Sequence, residues 1–149
     1  MGRKAGALKW GILAGSVGPR VRLLRNALAA RSIAVSAPHG LPTGSLTVLA
    51  LVAANPGTSQ VALARRAGIN TSALVGIIDQ LEKLGLIERA AAPADRRRNA
   101  VRVTNQGEVA MNALFAAVSP GEGPIREALG PDDLAQLLTL LDRATEALS

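Results

Sequence analysis

A chain of 149 residues can bury one core and is too short for two ordinary domains, so residues 1–149 are expected to form a single domain. With 48% apolar residues but one Trp, one Phe and no Tyr, the interior must be built from Leu, Ala and Val, which favours helices packed through small side chains over an aromatic-rich β-sandwich. The absence of Cys excludes disulfides, thiol redox sensing and Cys-type zinc sites, a single His excludes a multi-His metal site within one chain, and the net charge of +6 suits an anionic partner.

Trp10, Leu13, Val17, Val21, Leu24 and Leu28 recur at three- and four-residue steps and predict one side of a long helix running to about Arg31, kinked or split at Gly18-Pro19. Ala37 to Gly44, with two Pro and two Gly, reads as a loop; Thr43 is the expected N-cap of a helix to about Ala54 that buries Leu46, Leu49, Ala50 and Ala53. After Asn55-Pro56-Gly57, Thr58 is expected to cap a short helix, Ser59 to Ala67, with Val61, Leu63 and Ala64 inward and Gly68 at its end. Asn70 caps the next one. There Leu74, Ile77, Ile78, Leu81 and Leu84 form an apolar stripe, leaving Thr71, Ser72, Val75, Gly76 and Asp79 on the opposite side.

Beyond Gly85, Leu86 to Arg89 and Ala100 to Val103 alternate like paired strands, and the tip between them carries Asp95-Arg96-Arg97-Arg98. Thr104 is the expected cap of a helix with Val109, Ala113, Leu114 and Ala117, stopped by Pro120 to Pro124. A last helix starts near Pro131 and carries Leu134, Leu137, Leu138, Leu141 and Leu148. Lys9, Gly11, Gly15, Ser16 and Gly18 interrupt the N-terminal apolar stretch, and no run is long enough to cross a bilayer, so no membrane partner and a cytoplasmic location are expected.

Two short helices joined by a tight turn and followed by a basic hairpin predict a mainly α fold with a small β-hairpin wing, a winged helix-turn-helix. Its second helix enters the major groove of double-stranded DNA. Ser59 and Gln60 at the first helix's N-terminal end would meet a phosphate, Asn70, Thr71, Ser72, Val75 and Gly76 would approach base edges, and Arg96, Arg97 and Arg98 would reach backbone or minor groove. The charge distribution agrees: residues 1–40 carry seven Lys/Arg and no acid, residues 41–104 eight against four, and residues 105–149 two against seven.

In order and spacing, Thr58-Ser59-Gln60-Val61-Ala62-Leu63-Ala64, Ile78-Asp79-Gln80-Leu81-Glu82-Lys83-Leu84-Gly85-Leu86-Ile87, Pro93-Ala94-Asp95-Arg96-Arg97 and Val103-Thr104-Asn105-Gln106-Gly107 resemble the first DNA-binding helix, the recognition-helix end, the wing tip and the wing exit of the MarR family of bacterial regulators. The resemblance implies that Asp95 holds the wing arginines, that Arg96 lies in or over the minor groove, and that the first and last helices interlock with those of a second copy. Residues 1–40 and 105–149 would then form the dimerisation region, using Leu13, Val17, Val21, Leu134, Leu137, Leu138 and Leu141, and residues 41–104 the DNA-binding lobe. A repressor on a pseudo-palindromic operator is the implied function. Small-molecule effectors, often aromatic or phenolic, are common in the family; nothing in this sequence names one, and the lack of Cys argues against the peroxide-sensing branch.

The chain departs from the family at two places. Val75 and Gly76 stand where recognition helices usually present Thr or Ser and then Arg, so the hydrogen bonds that read guanine are missing, although Val75 can touch a thymine methyl and Gly76 can admit close backbone approach. Pro120 to Pro124 interrupts a helix that is long and continuous in the family. The departure at Val75 and Gly76 keeps open a small-molecule binding protein on a winged-helix scaffold, and net charge alone an architectural DNA binder. An enzyme is not expected: acids are scattered, a Cys nucleophile is absent, His39 sits alone in a Pro/Gly loop, and no cofactor motif is found. Trp10 reads as a core or interface anchor.

Overall fold

The computed structural model describes residues 9–36, 39–90 and 100–148. In chain order these form a 3-10 turn at Gly11–Leu13, helix α1 (Gly18–Ser36), α2 (Ser45–Ala54), α3 (Gln60–Ala67), α4 (Thr71–Lys83), strands β1 (Ile87–Ala90) and β2 (Ala100–Val103), α5 (Asn105–Val118), a 3-10 turn at Ser119–Glu122, and α6 (Gly123–Glu146). The expected fold class is thus found: helices plus one antiparallel hairpin, in register Ile87 to Val103, Glu88 to Arg102, Arg89 to Val101 and Ala90 to Ala100.

Helix α1 begins at Gly18, with Pro19 in its first turn, and runs on past Arg31 to Ser36, so the helical stretch expected from Trp10 is reduced to the 3-10 turn at Gly11–Leu13. The residues before α1 pack against its first turn. Arg20 lies 4.7 Å from the Trp10 ring centroid and donates to the carbonyls of Ser16 and Leu13, so Trp10 anchors this turn while staying partly exposed.

The main core joins Val48, Leu49 and Val52 of α2, Leu63 and Ala64 of α3, Leu74, Ile78 and Leu81 of α4, Leu86, Ile87 and Val101. Two expectations about α2 are corrected here. Its N-cap is Gly44 with φ 89°, not Thr43, and the Ser45 hydroxyl donates to the Pro42 carbonyl at 2.6 Å. Its buried side is Ser45, Val48, Leu49 and Val52, with Leu46 only half-buried and Ala50 and Ala53 exposed. A helix that is apolar nearly all round has no preferred side of its own; packing against α3, α4, α5 and β2 chooses one.

Pro120 to Pro124 does not open a loop. The chain passes through the 3-10 turn directly into α6, whose first turn accepts Pro124 because no intrahelical N–H is needed there. The break comes later, at Gly130 (φ 71°, ψ 174°), followed by Pro131, so the expected start near Pro131 is the second half of α6. Among the described residues no single helix is long and apolar enough to cross a membrane.

Candidate nucleic-acid interface

The chain turns by 105° between α3 and α4, the angle of a helix-turn-helix. Local chemistry sets both ends of the turn. Gly68, at φ 68°, adopts the left-handed conformation that closes α3, its N–H bonding back to Ala64 and Arg65 carbonyls. Two residues on, the Asn70 side-chain oxygen accepts from the Ala73 N–H at 2.7 Å and starts α4.

The cap of α3 is Ser59 rather than Thr58: the Ser59 hydroxyl accepts from the Ala62 N–H at 3.3 Å, so Ser59 precedes the helix and Gln60 is its first residue. Both hydroxyls stand at the right offset, and Thr58 instead spends its backbone N–H on the turn carbonyl of Asn55. Leu63 and Ala64 face inward as expected, but Val61 does not; it is exposed, one residue after Gln60 on the outer side. Arg65 and Arg66, exposed in the last turn, are the basic residues of α3, and Arg66 reaches Asp142 of α6 at 3.4 Å in a largely exposed pair that contributes little to stability.

Helix α4 keeps its expected two-sidedness. Leu74, Ile78 and Leu81 are wholly buried and Ile77 half-buried, while Leu84, expected in the same stripe, is already exposed at the C-cap. Outward stand Thr71, Ser72 and Gly76, with Val75 and Asp79 half-buried beside them. Nothing lies within 4 Å of where a Gly76 Cβ would be, so no contact inside the chain requires glycine there.

Thr104 ties the hairpin to α5. Its hydroxyl donates to the Gly85 carbonyl at 2.7 Å and accepts from the Gly107 N–H at 3.0 Å, which joins the start of the wing to its exit. On the strands, Ile87, Arg89, Val101 and Val103 share the side turned to the core, and Glu88 and Arg102 face each other on the outer side. Asp95, Arg96, Arg97 and Arg98 lie outside the described residues.

Sequence reasoning missed Arg89. It donates through one terminal nitrogen to Asp79 Oδ1 at 2.5 Å and through the other to Glu82 Oε2. The hydrogen bond with Asp79 raises the Arg89 pKa above its ordinary value, the Glu82 charge adds to this, and partial burial opposes it. Strand alternation was the available signal, since a residue two places after buried Ile87 must point at α4. His39 is exposed, and among the described residues no group of three His, Asp or Glu could hold a metal ion.

Comparison with known proteins agrees with this geometry. Residues 39–98 match the MarR family model. The chain is 34% identical over 136 residues to a candidate transcriptional regulatory protein for the hcr operon of Thauera aromatica, covering 89% of this chain and 81% of that one. The structure is similar to that of the transcriptional repressor CouR bound to a 23-mer DNA duplex, with a TM-score of 0.77 and 30% identity over 92% of this chain and 97% of that one. It is also similar to CouR from Rhodococcus jostii RHA1 bound to p-coumaroyl-CoA, with a TM-score of 0.76 and 27% identity over 89% and 94% of the two chains. A helix-turn-helix with a polar side turned outward, carried on a fold shared along nearly the whole chain with these proteins, is that of a transcriptional regulator rather than an enzyme, and the chain belongs to the MarR family.

Proposed function

We propose that the protein is a homodimeric repressor that binds a pseudo-palindromic operator in double-stranded DNA and is released by a small-molecule effector. The observation that carries this is α4, which buries Leu74, Ile78 and Leu81 and turns Thr71, Ser72 and Gly76 outward. Asn70, Thr71, Ser72, Val75 and Gly76 then approach base edges, Ser59 and Gln60 a phosphate, and the wing residues Asp95, Arg96, Arg97 and Arg98 the flanking backbone or minor groove. A mid-helix glycine costs about 1 kcal/mol relative to alanine, and with open space around Gly76 close approach of DNA is a reason to keep it. Acting on DNA, the protein works in the cytoplasm.

Residues 41–104 serve as the DNA-binding lobe, and residues 1–40 with 105–149 as the dimerisation region. Support for the dimer comes from apolar surface that a lone chain leaves wet: Ile12 is 99% exposed, Val17 68% and Leu138 56%, with Leu13, Val21 and Leu141 also exposed. Val17, Val21, Leu137 and Leu141 line one open groove of about 500 Å³, while Leu134 is half-buried nearby in sequence. Changing Leu138 and Leu141 together to Glu is expected to give a monomer in sedimentation, and a persisting dimer would overturn this assignment. An effector has room in a groove of about 380 Å³ lined by Leu24, Leu28, Arg31, Ile125 and Leu129, an apolar wall with one cation.

The test of the function is a titration of the protein against its own upstream DNA and a scrambled duplex of equal length, at two salt concentrations. Preference for the upstream duplex is expected. With Arg96→Ala and Arg97→Ala together, affinity should fall and the slope of log affinity against log salt should shrink by about 1 to 2, since each lost phosphate contact removes about 0.9. Equal binding to both duplexes, with the slope unaltered in the variant, would favour the second reading, a small-molecule binding protein, for which Val75 and Gly76 are the motive.

A further inference from the structure

From exposed Ser72, one line along α4 runs at helical spacing through half-buried Val75 and Asp79 to half-buried Glu82. Two carboxylates on that line are of the wrong sign for a helix lying along phosphates, where like charges repel. Arg89 meets both of them, and it comes from a different element, β1. Its side chain is only 25% exposed, and its Nε is buried with no hydrogen-bond acceptor among the described residues. Among the described residues the guanidinium is therefore held by its two terminal nitrogens alone, one on Asp79 and one on Glu82, three residues along the same helix.

We propose that Arg89 is a positioning residue for DNA reading: its fork fixes the wing strand β1 against α4 and cancels negative charge on the helix's DNA side. This rests on the reading of α4 as the recognition helix. The planar fork explains why the residue is Arg, because two fixed N–H directions set both the separation and the rotation of strand and helix, whereas a Lys ammonium is a point charge that does not. Val101, opposite Arg89 in the hairpin register, carries the constraint into β2 and so towards both ends of the wing.

The test uses Arg89→Met and Arg89→Lys in the full-length protein, with two readouts. Backbone hydrogen exchange of the free protein judges the clamp without DNA. In both variants the amides of Ile87 to Arg89 and Val101 to Val103 should exchange about tenfold faster relative to those of Val48 to Val52, the scale of one charged hydrogen bond lost. Binding to upstream and scrambled duplexes judges its use. Arg89→Lys, which keeps the charge, should retain the salt dependence but lose on the order of tenfold in discrimination between the duplexes, and Arg89→Met should also weaken binding to both. Wild-type exchange in the hairpin of Arg89→Lys, or full discrimination by that variant, would overturn the proposal. If the unmodified protein itself does not discriminate, the reading of α4 fails, while the exchange data still decide whether Arg89 holds wing and helix together.

Discussion

Gly107→Ala is expected to destabilise the fold by about 3 kcal/mol or more, at or beyond the upper end of the usual cost of overpacking. A Cβ there would stand 2.0 Å from the Leu86 carbonyl oxygen, 2.9 Å from its carbon and 2.7 Å from Val103 Cγ1. Backbone cannot rotate aside as a side-chain end can. The Leu86 carbonyl is also held in place, because it accepts from the Thr104 N–H at 3.0 Å, and the Leu86 N–H is tied to the Leu81 carbonyl at 2.9 Å. Relief would require α5 to move off the hairpin, breaking the Thr104 cap at Gly107 and its hydroxyl bond to Gly85. The check is the urea midpoint followed by circular dichroism; a midpoint equal to that of the unmodified protein would mean that the first turn of α5 slides freely over Leu86.

Ile78→Ala is the second large effect, about 2 to 5 kcal/mol, the range for truncating a fully buried aliphatic side chain. Ile78 is 0% exposed and lies between Leu74 and Leu81, which are equally covered, so the cavity has no route to solvent along the helix. The same change at Leu84, which is 48% exposed, should cost much less, because little area leaves water there on folding. Comparing the two urea transitions tests the assignment of the stripe. Equal losses at both positions would show that the apolar side of α4 is rotated from the one described.

Much of the helix-turn-helix and hairpin region was legible residue by residue, because its signals are local. Asn70 and Thr104 each cap the helix that follows through a side-chain oxygen on an N–H three residues ahead, and Gly68 ends α3 in the left-handed conformation; all of these are written within four residues of where they act. The cap of α3 was one residue off for the same kind of reason, since Thr58 and Ser59 carry equivalent hydroxyls and only the path of the preceding turn, through Thr58 N–H to Asn55, decides between them. The two-sidedness of α4 could be read because its apolar and polar residues are segregated. Helix α2 could not be oriented in this way, its polar residues being a buried Ser45 and an exposed Thr47.

By itself, the sequence determined the element order, the helix-turn-helix, the hairpin and the outward placing of Thr71, Ser72 and Gly76 on α4, since each follows from periodicity, capping and turn chemistry over a few residues. Tertiary structure alone decided the buried side of α2, the outward turn of Val61, the passage of Pro120 to Pro124 through a 3-10 turn into α6, and the meeting of Arg89 with Asp79 and Glu82. These depend on which elements pack together. A helix apolar on most sides buries the one its neighbours cover, and a charge from a strand finds its partners only when hairpin and helix have folded against each other.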